Sequence, residues 1–214
     1  MADPLLSAIG VTVQFGGLIA LGDIELEVAP SGITGLIGPN GAGKTTLFNV
    51  ITGLQRPTHG TMTYDGHDIS RWSPNRRGRA GMSRTLQRRE LFGGMSIRDN
   101  LSAAFEAATP GGVLGRRAAR GRTVVDSMLA RLELTSIADR RAGDLPTGLG
   151  RIVELGRAMC TQPRLLLLDE PSSGLDKAET AMFRDLLLEI TDVERGGIHD
   201  DAPAPAVLLV EHDV

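Results

Sequence analysis

The chain has 214 residues, a formal net charge of −3, 23% charged residues and one cysteine. That length supplies one good-sized domain, or a domain carrying a subdomain, with a core of its own. The charge balance gives no reason to expect a nucleic-acid partner. The single Cys160 excludes an internal disulfide and fits a reducing cytoplasm. No apolar run approaches the roughly 18–20 residues needed to span a bilayer. The N-terminus also lacks a basic region followed by an apolar stretch, so a protein neither secreted nor inserted is expected.

Up to about Pro30 the chain alternates, as in Ile24-Glu25-Leu26-Glu27-Val28, the pattern of half-exposed antiparallel strands. Ile33 to Ile37 is a short, mostly apolar run and reads as a buried parallel strand. It leads into Gly38-Pro39-Asn40-Gly41-Ala42-Gly43-Lys44-Thr45, a complete G-x-x-x-x-G-K-T phosphate loop. Its glycines let backbone N–H groups curl around phosphate oxygens with no Cβ in the way. Lys44 is placed to reach the β- and γ-phosphates, and the Thr45 hydroxyl to ligate Mg²⁺. Leu47, Phe48, Val50, Ile51 and Leu54 then recur at helical spacing, with Gly53 as the break. Strand, glycine loop and helix are the context the motif needs, because the helix N-terminus adds its own N–H groups and dipole to the phosphate site. ATP or GTP binding follows.

Thr61 to Tyr64, followed by Asp65-Gly66, reads as a strand entering a turn. Arginines outnumber lysines 21 to two, and those at 76, 77, 79, 84, 88 and 89 are expected on a solvated face. From about Arg88 to Arg141 the composition shifts to alanine- and arginine-rich helical segments broken at Thr109-Pro110-Gly111-Gly112, which suggests an inserted helical subdomain. An amphipathic helix follows from Arg151 to Met159, and Cys160 at its end is expected to be a buried, inert thiol. Leu165-Leu166-Leu167-Leu168-Asp169-Glu170 is a strand apolar on both faces that ends in two carboxylates. Strand C-termini are where open α/β sheets bind ligands. Asp169 is therefore a candidate Mg²⁺ ligand opposite Thr45, and Glu170 a candidate general base for the attacking water. A helix from about Lys177 to Glu194, a Gly/Asp/Pro/Ala-rich linker from Arg195 to Pro205 and a strand from Val207 to Val210 complete an alternation of strands and helices. His59, His67 and His199 are expected to be ordinary polar or core residues.

The order of these motifs resembles that of an ATP-binding-cassette ATPase over essentially the whole chain. The resemblance implies an α/β fold: a P-loop NTPase core with a parallel sheet, an N-terminal antiparallel β subdomain and an inserted helical subdomain. The core would be residues 1–87 and 143–214 and the helical subdomain 88–142. It implies that Phe15, in Phe15-Gly16-Gly17, stacks on adenine. It also implies that Gln87, in Ser83-Arg84-Thr85-Leu86-Gln87, touches Mg²⁺ or the attacking water. Ser172-Ser173-Gly174-Leu175-Asp176 resembles the loop that crosses the dimer interface. Glu211-His212-Asp213 resembles the switch whose histidine contacts the γ-phosphate. The family's Leu-Ser-Gly-Gly-Gln signature reads Leu145-Pro146-Thr147-Gly148-Leu149 here, with proline in place of the serine that bonds the γ-phosphate. Pro146 has no N–H to donate.

On this resemblance, ATP with Mg²⁺ lies between two chains. One chain contributes Phe15, Gly38 to Thr45, Thr46, Asp169, Glu170 and His212, and the other contributes Leu145, Thr147 and Gly148. Segments such as Gly81-Met82-Ser83-Arg84-Thr85-Leu86-Gln87 resemble the branched-chain amino-acid importer ATPases. That implies a second ATPase subunit and transmembrane permease subunits as partners, a substrate-binding protein indirectly, and a place on the inner face of the cell membrane. Two other readings remain: a nucleotide-gated dimerising module with little turnover, motivated by the altered signature, and a soluble non-transport cassette ATPase. Cassettes normally continue past the switch histidine with a helix and more sheet. The C-terminal end of the usual domain is therefore expected to be missing from these 214 residues.

Overall fold

A computed structural model describes residues 3–39, 41–85, 91–109, 116–192 and 204–211. The chain divides into two compact units, the first of Met1–Arg84, Arg164–Glu170 and Pro205–Val214, the second of Thr85–Pro163 and Pro171–Ala204.

In chain order the first unit contains β1 (Leu6–Phe15), β2 (Leu18–Val28), β3 (Ile33–Ile37), α1 (Lys44–Thr52), β4 (His59–Tyr64), β5 (His67–Asp68), α2 (Pro74–Arg79), β6 (Met82–Arg84), β7 (Leu165–Asp169) and β8 (Ala206–Glu211). They form two four-stranded sheets, one ordered β2-β1-β4-β5 and one ordered β3-β8-β7-β6. The first is antiparallel, with Leu6 opposite Val28 and Phe15 opposite Leu18. The second is parallel throughout. Leu47, Phe48, Val50 and Ile51 of α1 join a single core cluster with β1, β4, β7 and β8 side chains such as Leu6, Met62, Leu167 and Leu208. The four leucines of β7 are each fully buried, as a strand covered on both faces requires.

Two expectations need correction. β3 pairs in parallel with β8, but it is not a buried strand: its exposure alternates, and Ile37 is 68% exposed. The reason is position, because β3 is the terminal strand of its sheet among the described residues. The arginines from 76 to 84 do not share a solvated face. Arg76 and Arg79 are exposed, with Arg76 stacked 3.9 Å over the Trp72 ring. Arg77, by contrast, is 1% exposed. It donates to the carbonyls of Val50 and Ile51 (2.6 Å each) and of Ile69 (2.6 Å). The last carbonyls of a helix lack intrahelical donors and sit at its negative end, so a cation there satisfies both needs of α1. Burial pushes the Arg77 guanidinium down to about 10. Arg84 is also enclosed and is taken up below; Arg88 and Arg89 lie outside the described residues.

The second unit is helical: α3 (Ile97–Ala108), α4 (Arg116–Arg131), α5 (Thr147–Cys160) and α6 (Lys177–Thr191), with 3-10 turns at Thr135–Ile137 and Ala142–Asp144. α3 ends at Ala108, just before the expected break. α5 starts at Thr147 rather than Arg151, so the altered signature stretch forms its first turn. It is buried nearly all round, and Arg151 and Glu154, both enclosed, pair at 3.1 Å one turn apart. No helix among the described residues is long and apolar enough to cross a membrane.

Replacing Arg77 with Met keeps the buried stem but takes the donor from the Ile51 carbonyl, while the Val50 and Ile69 carbonyls keep the N–H groups of Gly53 and Trp72. At about 1–3 kcal/mol for a buried unsatisfied group, thermal unfolding of Arg77→Met is expected to move down by about 5 °C. Cys160 is fully buried, and that burial pushes its thiol up to about 12. The unfolded thiol ionises near pH 8.5–9, so folded stability falls as pH rises from about 9 toward 12. Ellman's reagent at pH 8 is expected to leave the native protein unlabelled and to titrate one thiol after guanidinium denaturation.

Candidate active site

The parallel ladder determines where the site's parts stand. Ile37 is level with Glu211 and Asp169 with Val210, so β3, β8 and β7 end on one edge of the sheet. β3 and β7 flank β8, about 10 Å apart at the usual strand spacing. The phosphate loop leaves the end of β3, and Asp169 and Glu170 stand at the end of β7.

Within the loop, Gly41 and Gly43 both adopt left-handed backbone, φ 81° and 88°. Gly43 has a second constraint, since a Cβ there would lie 2.6 Å from the Ala20 carbonyl oxygen and 2.5 Å from a Leu21 methyl. It precedes Lys44 as the cap of α1, whose first turn holds Lys44, Thr45 and Thr46. The Lys44 ammonium donates to the carbonyls of Gly38 and Pro39. Ala42 N–H donates to the Pro39 carbonyl at 3.3 Å, closing the turn. Thr45 is exposed, and Asn40 lies outside the described residues.

Asp169 is 2% exposed, and the hydrogen bond it receives among the described residues comes from Arg84, Nη2 to Oδ2 at 2.8 Å. Arg84 Nη1 donates to Asn49 Oδ1 of α1, also at 2.8 Å. Arg84 ends β6, where the charge run masked it in the sequence. Its place at the C-terminal end of a parallel strand is the signal that would have singled it out. Glu170 is buried and has φ 49°, an uncommon backbone for a residue with a Cβ, and its N–H donates to the Val210 carbonyl at 2.9 Å. Such outliers gather at functional sites, where surrounding structure holds them. Thr45 and Asp169 supply hydroxyl and carboxylate oxygens, the hard donor set that suits Mg²⁺.

Phe15 is half-exposed at the turn between β1 and β2, so it is no core phenylalanine. Gln87 and His212 lie outside the described residues. In the second unit Leu145 is buried, Thr147 exposed and Gly148 buried in the first turn of α5. Pro146, the N-cap, makes no side-chain capping bond. Asp176 caps α6 through a reciprocal box: its carboxylate accepts from Glu179 N–H, and Glu179 accepts from Asp176 N–H at 3.0 Å. A Cβ on Gly148 would lie 2.2 Å from Glu179 Oε1, so glycine is what lets the signature turn and the loop at 172–176 close on the same carboxylate.

A sequence model described as ABC transporter matches residues 21–173. The chain belongs to the ABC transporter family. It is 36% identical to the high-affinity branched-chain amino acid transport ATP-binding protein LivG of Escherichia coli (strain K12), over 100% of this chain and 84% of that protein. The corresponding protein BraF of Pseudomonas aeruginosa is 35% identical with the same coverage. Its fold superposes on the ATP-binding cassette MJ1267 of an ABC transporter with a TM-score of 0.82 at 26% identity, covering 100% of this chain and 83% of that one. The ADP conformation of MJ1267 superposes with a TM-score of 0.80. The chain is thus an ABC ATPase, an enzyme that binds and hydrolyses ATP, with the α/β architecture of parallel and antiparallel sheets and helices expected from its motifs.

The shared carboxylate makes a measurable coupling. Gly148→Ala is expected to displace Glu179, open the α6 capping box and lower the melting temperature by about 2–4 °C, the effect of about 1 kcal/mol. In Glu179→Ala the obstruction is gone, so the double variant is expected to melt within 1 °C or so of Glu179→Ala alone. Additive losses in thermal unfolding would contradict the contact.

Proposed function

We propose that this ATPase powers an importer for branched-chain or other hydrophobic amino acids, working at the inner face of the cell membrane through permease subunits. The observation that carries the reading is the pair Asp169-Glu170 on the same sheet edge as the phosphate loop. The likeness to LivG and BraF along the entire chain supports the substrate class. Two copies, or this chain and a related subunit, would pair so that the loop and β7 carboxylates of one face Leu145, Thr147 and Gly148 of the other. Residues 88–142 would serve as the helical subdomain that meets the permease, and a substrate-binding protein would select the cargo.

In this reading Phe15 stacks on adenine, while Lys44 and the N–H groups from Gly38 to Thr46, with Pro39, Asn40 and Ala42 shaping the loop, surround the phosphates. Lys44 then exchanges its Gly38 and Pro39 carbonyls for phosphate oxygens. Thr45, Asp169 and Gln87 would hold Mg²⁺, which supplies positive charge against the phosphates. Glu170 orients the attacking water and takes its proton, with His212 on the γ-phosphate. Positioning and fixed charge carry the catalysis. Contacts to one nucleotide from two chains make ATP favour the closed pair and its hydrolysis favour release.

Pro146, which has neither a hydroxyl nor an N–H to offer a phosphate at the start of α5, motivates a second reading, a dimerising module with little turnover. Steady-state hydrolysis separates the two. Glu170→Gln is expected to lower kcat about 100-fold or more while ATP affinity stays within a few-fold. Wild-type turnover no faster than that of the variant would sink the enzymatic role of Glu170. Reconstitution with permease subunits and a binding protein tests the cargo, with ATP-dependent leucine uptake as the expected outcome.

A further inference from the structure

Arg84 is an enclosed cation beside Asp169 that the reaction scheme above does not use. Its side chain is 10% exposed, the Asp169 side chain 3%. One arm of its fork reaches Asp169 Oδ2 and the other reaches Asn49 Oδ1, both at 2.8 Å, and its guanidinium carbon lies 5.4 Å from the Phe48 ring centre. Phe48 and Asn49 belong to α1, the helix that carries Lys44 and Thr45 in its first turn. One guanidinium therefore ties the phosphate-loop helix to the strand end that bears Asp169.

We propose that Arg84 is a positioning residue for the metal: it fixes the Asp169 carboxylate against α1 so that Asp169 and Thr45 present a preformed pair of oxygen donors to Mg²⁺. The inference rests on Asp169 as a Mg²⁺ ligand. Three observations carry it. Arg84 engages one carboxylate oxygen, and Oδ1 accepts from no described residue, which leaves that oxygen for the metal. A guanidinium and Mg²⁺ repel each other, so a shared carboxylate works by giving each its own oxygen. The planar fork also restricts the carboxylate in a way a point charge cannot, because two fixed N–H directions set the distance between Asn49 and Asp169. Finally, a carboxylate this buried needs a counter-charge whenever no metal is present, and Arg84 supplies it.

The test compares ATP affinity in excess Mg²⁺ with ATP affinity in EDTA, measured by fluorescent-nucleotide binding on the purified protein. The ratio of the two dissociation constants reports how well the chain uses the metal, independently of turnover. In Arg84→Met the ratio is expected to fall about tenfold, with affinity in EDTA within about threefold of wild type. Arg84→Lys keeps the charge without the fork and is expected to fall between them. A merely structural role would lower the melting temperature and leave the ratio unmoved. A ratio within twofold of wild type in Arg84→Met, folded by circular dichroism, would overturn the proposal. Should that variant not fold, Asn49→Ala removes the other anchor; a fall of about threefold is expected, and an unchanged ratio overturns the proposal equally. A wild-type ratio of one would instead remove the metal site itself, a failure distinct from that of Arg84.

Discussion

The register of one parallel ladder governs this molecule's chemistry. β3, β8 and β7 are paired so that Ile37 meets Glu211 and Asp169 meets Val210. A slip of one residue along that ladder would turn every side chain of the shifted strand to the other face. It would also carry the β7 carboxylates away from the level of the phosphate loop. The four leucines of β7 prevent such a slip poorly by themselves, since they are apolar on both faces. Register is instead fixed at the strand ends. Glu170 N–H closes on the Val210 carbonyl, Ala206 N–H on that of Arg164, and Val207 N–H on that of Gly32.

Two buried arginines organise what surrounds the ladder, in different ways. Arg77 has carbonyl acceptors and serves the C-terminal end of α1. Arg84 is paired with a carboxylate and serves the sheet edge toward which the other end of that helix begins. Arg77 is kept in the interior by hydrogen bonds to backbone carbonyls, and Arg84 by one bond to Asp169 and one to Asn49. That is the condition under which burial of a cation is tolerated. A short helix of nine residues has little stability of its own, so α1 depends on these tethers and on its core side chains for its orientation.

The motifs were legible because each is a local pattern. The phosphate loop, the apolar run ending at Asp169-Glu170 and the alternation in β1 and β2 are written in neighbouring residues, and the backbone follows them. What escaped the sequence is tertiary. Nothing local distinguishes Arg77 and Arg84, which turn inward, from Arg76 and Arg79, which do not. The exposure of β3 depends on its place at the end of the sheet order, which its own five residues do not state. The early start of α5 had a local signal after all, since proline is well suited to the boundary of a helix N-terminus. The family signature drew attention to the same residues as a loop.

The hold of Lys44 on its own loop changes how a substitution there must be understood. Its ammonium bridges the Gly38 and Pro39 carbonyls, and so braces the curve that the glycines permit. Removing the side chain takes away a positive charge and, with it, the clasp that keeps the backbone N–H groups curved before any phosphate arrives. Lost affinity would then combine two deficits, one electrostatic and one of shape. Salt separates them, because screening weakens the first and leaves the second in place.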